Sequence, residues 1–445
     1  MKKLFTTLGN IWKIEELKER IIYTLIILVI YRFICQVVLP GVDPNQLIDG
    51  QKSGILGILD MFAGGAFSQV SILALGVMPY ISASIVVQLL GIAVPSFQKM
   101  QKEGESGRKK LTQITRYLTI AITVVQAIGY IKTQVPEAAI MINHTMFYVL
   151  STFILTAGTL FVMWLGEKIT DKGLGNGISI IIMVGIIARL PIALTQEIGS
   201  RFGANDGGLV MFFFEIVALF AVVMFTILIV QGVRKVPVQY AKRIVGNKQV
   251  GGVRQYIPLK VNAAGVMPII FAQALMFIPN ALIGVFPNLQ DSWLHQYSDM
   301  TSVTYSATFA FLIIAFTFFY TAITVNPTQM ADDMKKNGGF IPGIKPGLAT
   351  STFIDDVISK ITFPGSLFLA LIAILPSFAV KFGIQQEFAQ FFGGTSLLIL
   401  VGVVLDTLQQ IESYLLMRHY DGLMKTGRVT GRSGLPVAGN NAAAL

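Results

Sequence analysis

Three histidines, one cysteine and 24 carboxylates spread through 445 residues leave little from which to build a catalytic or metal site. His144, His295 and His419 lie far apart and lack clustered ligands, so no shared metal centre is expected. Cys35 stands alone, which excludes an intrachain disulfide. GLGNGIS (173–179) has the glycines of a phosphate cradle, but no strand precedes it and no Lys-Ser or Lys-Thr pair follows. Neither a cofactor nor a catalytic residue is expected, and an enzyme is not. Arg32, Asp60, Arg189, Glu215 and Asp406 fall in or near apolar runs, where a coupled transporter would keep its ion-binding charges. Pairing between helices or snorkelling accounts for them more economically. A different chemistry is suggested by Val77, Ile81, Ser84 and Gln88, at i, i+4, i+7 and i+11 on one helical face. That face is aliphatic at one end and polar at the other. Ordinary helix packing through a small Ser84 explains it, and so does a pore wall with a dewetting constriction.

Elements that could carry such a face are abundant. The chain is 53% hydrophobic and only 13% charged, with mean hydropathy +0.67, against about 25% charged in soluble domains. It reads as a polytopic membrane protein. Ten apolar runs of spanning length are expected, near 21–39, 71–94, 114–135, 147–166, 178–199, 209–231, 264–285, 306–325, 362–380 and 394–416. The net charge of +10 could indicate nucleic acid, but its distribution decides otherwise. An even number of spans puts both termini on one side, and that side gathers most of the 34 basic residues, which makes it cytoplasmic. The first span reads as uncleaved, because residues 4–20 are amphipathic and charged and suit an interfacial helix.

Between the spans, residues 54–70 are apolar but hold Asp60, Gly64-Gly65, Ser68 and Gln69, which suits a half-helix that dips into the membrane without crossing it. Non-spanning backbone survives at that depth only beside protein or a water-filled cavity. The loop 95–111 reads as polar and flexible. Span three carries Thr115, Thr119, Thr123 and Gln126, so it should face protein or water, whereas the uniformly apolar span six should face lipid. Asn176 or Ser179 should cap span five, which then runs to Pro191. The loop 232–261 has basic residues and no acidic one, and VPVQYAKRIVG and QYIPLKVN alternate as a β-hairpin would. The loop 326–361 holds a rigid turn, NGGFIPGIKPG. The tail from 427 to 445 is disordered by composition. Five spans precede residue 205 and five follow, so equivalent halves would be inverted repeats.

MFAGGAFSQVSILALGVMPYISASIVVQLL, QKEGESGRKK, WLGEKITDKGLGNGISIII, PVQYAKR followed by PLKVNAAGVMPIIFA, NGGFIPGIKPG and FFGGTSLLILVGVVLD resemble the SecY family of bacterial protein-conducting channels, in order and across nearly the whole chain. The resemblance implies an all-α polytopic fold: ten transmembrane helices in two inverted five-helix halves, 1–205 and 206–426, around a central pore with a half-helix plug. It implies a pore ring of Val77, Ile81, Ile178, Ile182, Ile270 and Ile399. The plug would be about 55–69, including Ile55, Leu59, Asp60, Met61, Phe62, Gly64, Gly65 and Phe67. Spans two and seven would form a lateral gate involving Pro79, Ser84, Gln88, Pro268 and Gln273, with Pro79, Pro268 and Pro279 bending helices that must part. Lys242, Arg243, Lys248, Arg254 and Lys345 would dock the SecA ATPase or a ribosome, although Lys345 stands where the family usually has Arg. Small SecE-like and SecG-like membrane subunits, a signal-sequence-bearing polypeptide and the lipid bilayer are the other implied partners, and the bacterial cytoplasmic membrane the implied location. The rival reading from another class is a secondary transporter with inverted repeats.

Overall fold

The computed structural model describes residues 14–43, 60–203, 208–240, 243–245, 248–250, 254–273, 275–276, 296 and 302–425. Ile55, Leu59, Lys242, Pro279, the first part of the expected interfacial helix and the tail lie outside them. Among the described residues the architecture is helical, and seven helices are long and apolar enough to cross a membrane, or eight with one bent pair. Helix α1 is Glu15–Cys35, so the described end of the expected interfacial segment continues directly into span one. A turn at Pro40-Gly41 follows, with Gly41 at φ 92.

The expected half-helix is broken. Residues 60–62 are helical, but Gly64 (φ 64), Gly65 (φ 94) and Val70 (φ 49) take left-handed conformations, and the chain to residue 77 runs as successive turns. Ser71 forms a β-bridge with Val38. Helix α2, Met78–Ala93, is therefore shorter than the expected span 71–94. Gly76 at φ 52 cannot continue a helix, and Pro79 favours the first turn because its missing N–H is not needed there. Pro79 thus starts a helix and does not bend one.

The loop 95–111, expected to be flexible, is largely helical. Helix α3, Pro95–Lys102, leaves α2 at 102°, because Val94 is held extended ahead of Pro95. Helix α4, Glu105–Gln134, begins two residues after Glu103. Thr115, Thr119 and Thr123 are buried on its protein face, and each hydroxyl donates to the carbonyl four residues back at 2.9, 2.7 and 2.6 Å. Helix α5, His144–Lys172, is capped by the Asn143 side chain. Asn176 caps helix α6, Gly177–Gly203, accepting from the N–H groups of Ile178 and Ser179. That helix runs on through Pro191. Helix α7, Gly208–Gln231, is the most apolar span, and only 11% of it is buried in the protein, as a lipid-facing helix requires.

Strands β1 (Val233–Tyr240) and β4 (Arg254–Lys260) form the antiparallel pair that the alternation predicts, with Val236 opposite Ile257. Strands β2 (Arg243–Val245) and β3 (Lys248–Val250) make a smaller hairpin between them. Residues 267–273 are helical, with Pro268 in the first turn, so it too starts a helix and bends nothing there. Helix α9 is Val303–Thr324 and α10 is Pro327–Lys336, where α8 denotes the segment 267–273. Strand β5, Gly339–Phe340, pairs with β1, giving a three-stranded sheet in the order β4-β1-β5 that unites the two long loops. Val236, Val238, Leu259, Met334, Ile341 and Ile354 form its small apolar core. Helix α11, Leu348–Lys381, contains Pro364 and Pro376; α12 is Gln386–Ala389 and α13 is Gly394–Lys425.

Candidate functional site

All six aliphatic residues of the expected ring fall in one apolar cluster. Val77, Ile182 and Ile399 are buried in it, and Ile81, Ile178 and Ile270 pack against it half-buried. They come from α2 and the turn before it, from two successive turns of α6, from α8 and from α13. Branched aliphatic side chains from four regions of the sequence are thus brought into, or against, one apolar core.

The segment 60–70 lies against this cluster, with Met61, Phe62 and Phe67 buried in it. Polar groups strap it from several helices. The Asp60 carboxylate pairs with the Arg189 guanidinium of α6, and its Oδ1 accepts from the Ser68 N–H at 2.8 Å. Arg189 Nη2 also donates to Ser68 Oγ at 3.0 Å. Arg32 Nη1 of α1 donates to the Gly64 carbonyl at 2.9 Å. From α4, the Tyr130 hydroxyl donates to the Phe67 carbonyl at 2.6 Å while the two rings meet edge to face at 4.8 Å. Glycine is needed on both sides of this contact: a Cβ on Gly185 of α6 would stand 2.7 Å from the Phe62 carbonyl oxygen. Sequence reasoning weighed Arg32 and Arg189 only as intramembrane charges and missed Tyr130 and Gly185. The intramembrane position of both arginines was the available signal, and nothing in the sequence names their partners.

A second apolar cluster joins α2 to α8 and α9 through Ile85, Ala264, Phe271 and Tyr320. Gln88 accepts from the Tyr320 hydroxyl at 2.6 Å and its Nε2 donates to Ser84 Oγ at 3.3 Å. The polar partner of Gln88 is therefore on span eight, and Tyr320 was not foreseen. Gln273, expected at the α2 contact, instead lines a cavity with Tyr305, Phe309, Pro376 and Ser396, among the later spans.

Of the expected docking residues, Arg243 and Lys248 lie in the β2–β3 hairpin, opposite Val250 and Val245, and Arg254 opens β4 opposite Gln239. Lys345 is exposed in the turn after β5, and its carbonyl accepts from Thr350 Oγ1 at 3.0 Å. Among the described residues no group of three or more His, Cys, Asp or Glu could hold a metal ion.

A further set of charges was not anticipated as a unit. Arg201 near the end of α6 donates from Nε to Glu197 at 3.0 Å, and from Nη2 to Glu215 of α7 at 2.6 Å and to the Gly383 carbonyl at 2.9 Å. The remaining Glu197 oxygen accepts from the Gln385 N–H at 2.8 Å. All three ionisable side chains are buried. Sequence spacing offers only the i, i+4 relation of Glu197 and Arg201.

Residues 71–408 match the SecY family model. The chain is similar to a protein translocase subunit SecY of Halalkalibacterium halodurans, 44% identical over 438 residues that cover 95% of this chain and 100% of that one. Among solved structures it is similar to one described as a protein-conducting channel, with TM-score 0.61 and 18% identity over 93% of this chain and 95% of the other. Another, in which the plug domain is described as stabilising the closed state and maintaining a membrane seal, has TM-score 0.59 and 18% identity, with the same coverage.

Proposed function

This chain belongs to the SecY family, and from that premise we propose which residues carry translocation. It is a protein-conducting channel that passes unfolded secretory polypeptides across the membrane and releases membrane segments sideways into lipid. Val77, Ile81, Ile178, Ile182, Ile270 and Ile399 form the constriction. Branched aliphatic groups exclude water and ions by dewetting, and they slide past a varied polypeptide without holding any side chain strongly. The segment 55–69 is the plug, held shut from Asp60, Gly64 and Phe67. Residues 1–205 and 206–426 act as two inverted halves that part between α2 and the α8–α9 pair. Ser84 and Gln88 lie along that lateral gate. The channel carries out no catalysis of its own.

By the positive-inside rule, the face bearing the basic 232–261 and 326–361 loops and both termini is cytoplasmic, and the membrane is the bacterial cytoplasmic one. Arg243, Lys248, Arg254 and Lys345, together with Lys242, present positive charge there to SecA or to the phosphates of a ribosome. A SecE-like subunit braces the halves and a SecG-like one lies beside them.

The observation that carries this reading is an apolar cluster that takes in Val77, Ile182 and Ile399, has Ile81, Ile178 and Ile270 packed on it, and includes a segment strapped by polar bonds. Asp60, Arg189 and Glu215 are each paired with protein groups, which weighs against their serving a rival transporter as ion ligands. With Ile81→Cys and Ile270→Cys, both positions should crosslink to a secretory chain stalled in transit; absence of any crosslink overturns the channel assignment of this ring.

A further inference from the structure

The buried charges at the ends of α6 and α7 do more than neutralise one another, because the atoms they leave over are used on a loop. Arg201 Nη2 reaches the Gly383 carbonyl, and Glu197 accepts the Gln385 N–H. Both belong to the connection between α11 and α13, which Gly383 turns with φ 86. From this fixed point the chain enters α12 and a 3-10 turn at Gln390–Phe392. Here Phe388, Phe391 and Phe392 are buried in the cluster that holds Met61, Phe62 and Phe67. Glu387, Gln390 and Phe391 wall a cavity whose other side is Asp60, Met61 and Arg189. Just beyond, Ser396 Oγ lies 3.1 Å from Met61 Sδ. One end of this connection is thus pinned to α6 by hydrogen bonds between its backbone and buried charged side chains, and the other forms a wall against the plug segment.

We propose that Glu197, Arg201 and Glu215 are positioning residues for channel closure: they hold the 382–393 connection against α6 so that its aromatic wall seats the plug. The proposal rests on the plug reading above. A buried arginine shared by two carboxylates and a carbonyl is costly to unmake, since each partner left behind is a buried unsatisfied group. The seat is therefore stiff, and the plug can leave while its wall stays in place. The ionic set acts on the plug only through the wall, so its effect must vanish when the plug is absent.

The test uses the channel with its partner subunits in proteoliposomes, with Cys35→Ser as background and resting ion leak as the readout. A Met61→Cys, Phe391→Cys pair reports plug seating through disulfide formation. Arg201→Met should raise the leak towards that of a channel lacking residues 55–69 and lower the disulfide yield, while Arg201→Lys should restore part of both. In the plug-deleted channel, Arg201→Met should add nothing. Gln385→Pro removes the N–H donor together with an exposed side chain, at a φ of −58 that proline adopts, and should raise the leak in the same direction even if Arg201→Met does not fold. Unchanged leak and disulfide yield in Gln385→Pro and the folded Arg201 variants, or leak that adds to that of the plug deletion, overturns the proposal alone. A plug deletion that does not leak overturns the plug reading and this proposal with it.

Discussion

At the scale of single residues, the central contact of this molecule is made by backbone as much as by side chains. The 60–70 segment, the proposed plug, crosses α6 at Gly185, where a Cβ would meet the Phe62 carbonyl oxygen at 2.7 Å and the Gly64 nitrogen at 3.3 Å. These are backbone atoms and cannot swing aside, so the added methyl group must displace the segment. Gly185→Ala should cost about 1–3 kcal/mol in overpacking and raise resting ion conductance, with the spans still inserted; a conductance equal to the parent's would mean that the segment does not seal at this point. Arg32 and Arg189 show the same economy. Each sits within apolar surroundings and is satisfied by groups of the plug segment, Arg32 by the Gly64 carbonyl and Arg189 by Asp60 and Ser68. Charge type was legible in the sequence as a cost that needs a partner. Partner identity was not, because 129 positions separate Asp60 from Arg189 and local spacing carries no information across that distance.

At the scale of elements, the three-stranded sheet joins two loops that the sequence presents separately. The β1–β4 hairpin was readable from its alternation, with Val236 and Val238 inward. The addition of β5 was not, since two residues carry too short a pattern. Among the described residues, Gln239 pairs with Phe340 and Tyr240 with Gly339 along that edge, and a Cβ on Gly339 would press on the Tyr240 ring at 3.0 Å. Gly339→Val should detach the second loop, seen as faster proteolysis between residues 339 and 347 and as lower translocation. Equal proteolytic rates would show that the edge pairing is not what orders the loop. Helix boundaries were read less well than helix existence. Pro79 and Pro268 lie inside continuous apolar runs and invite assignment as kinks, yet both occupy first turns. The decisive residue for α2 is Gly76, whose left-handed φ is a consequence of the packed turns around it.

At the scale of the whole molecule, the proposed gate opens by separating α2 from α8 and α9, and the bond from Tyr320 to Gln88 joins α2 to α9 at 2.6 Å. Tyr320→Phe keeps the ring against Phe271, at 5.0 Å between centroids, and removes only the hydrogen bond. The loss of about 0.5–1.5 kcal/mol should ease opening and let weaker signal sequences through. An unchanged threshold for signal hydrophobicity would show that the bond does not restrain the gate. By itself the sequence determined the membrane environment, most of the spans, the hairpin and, through family motifs, the SecY family. These follow from composition, periodicity and short ordered stretches, which are local properties of a chain in lipid. Tertiary structure alone decided that Asp60 meets Arg189, that Gln88 bonds to span eight while Gln273 lines a cavity among the later spans, and that Arg201 pins a loop to which it is not adjacent in sequence. A buried polar group must find a partner, but which one it finds depends on helix rotation and on close backbone approach, and only the packed chain sets either.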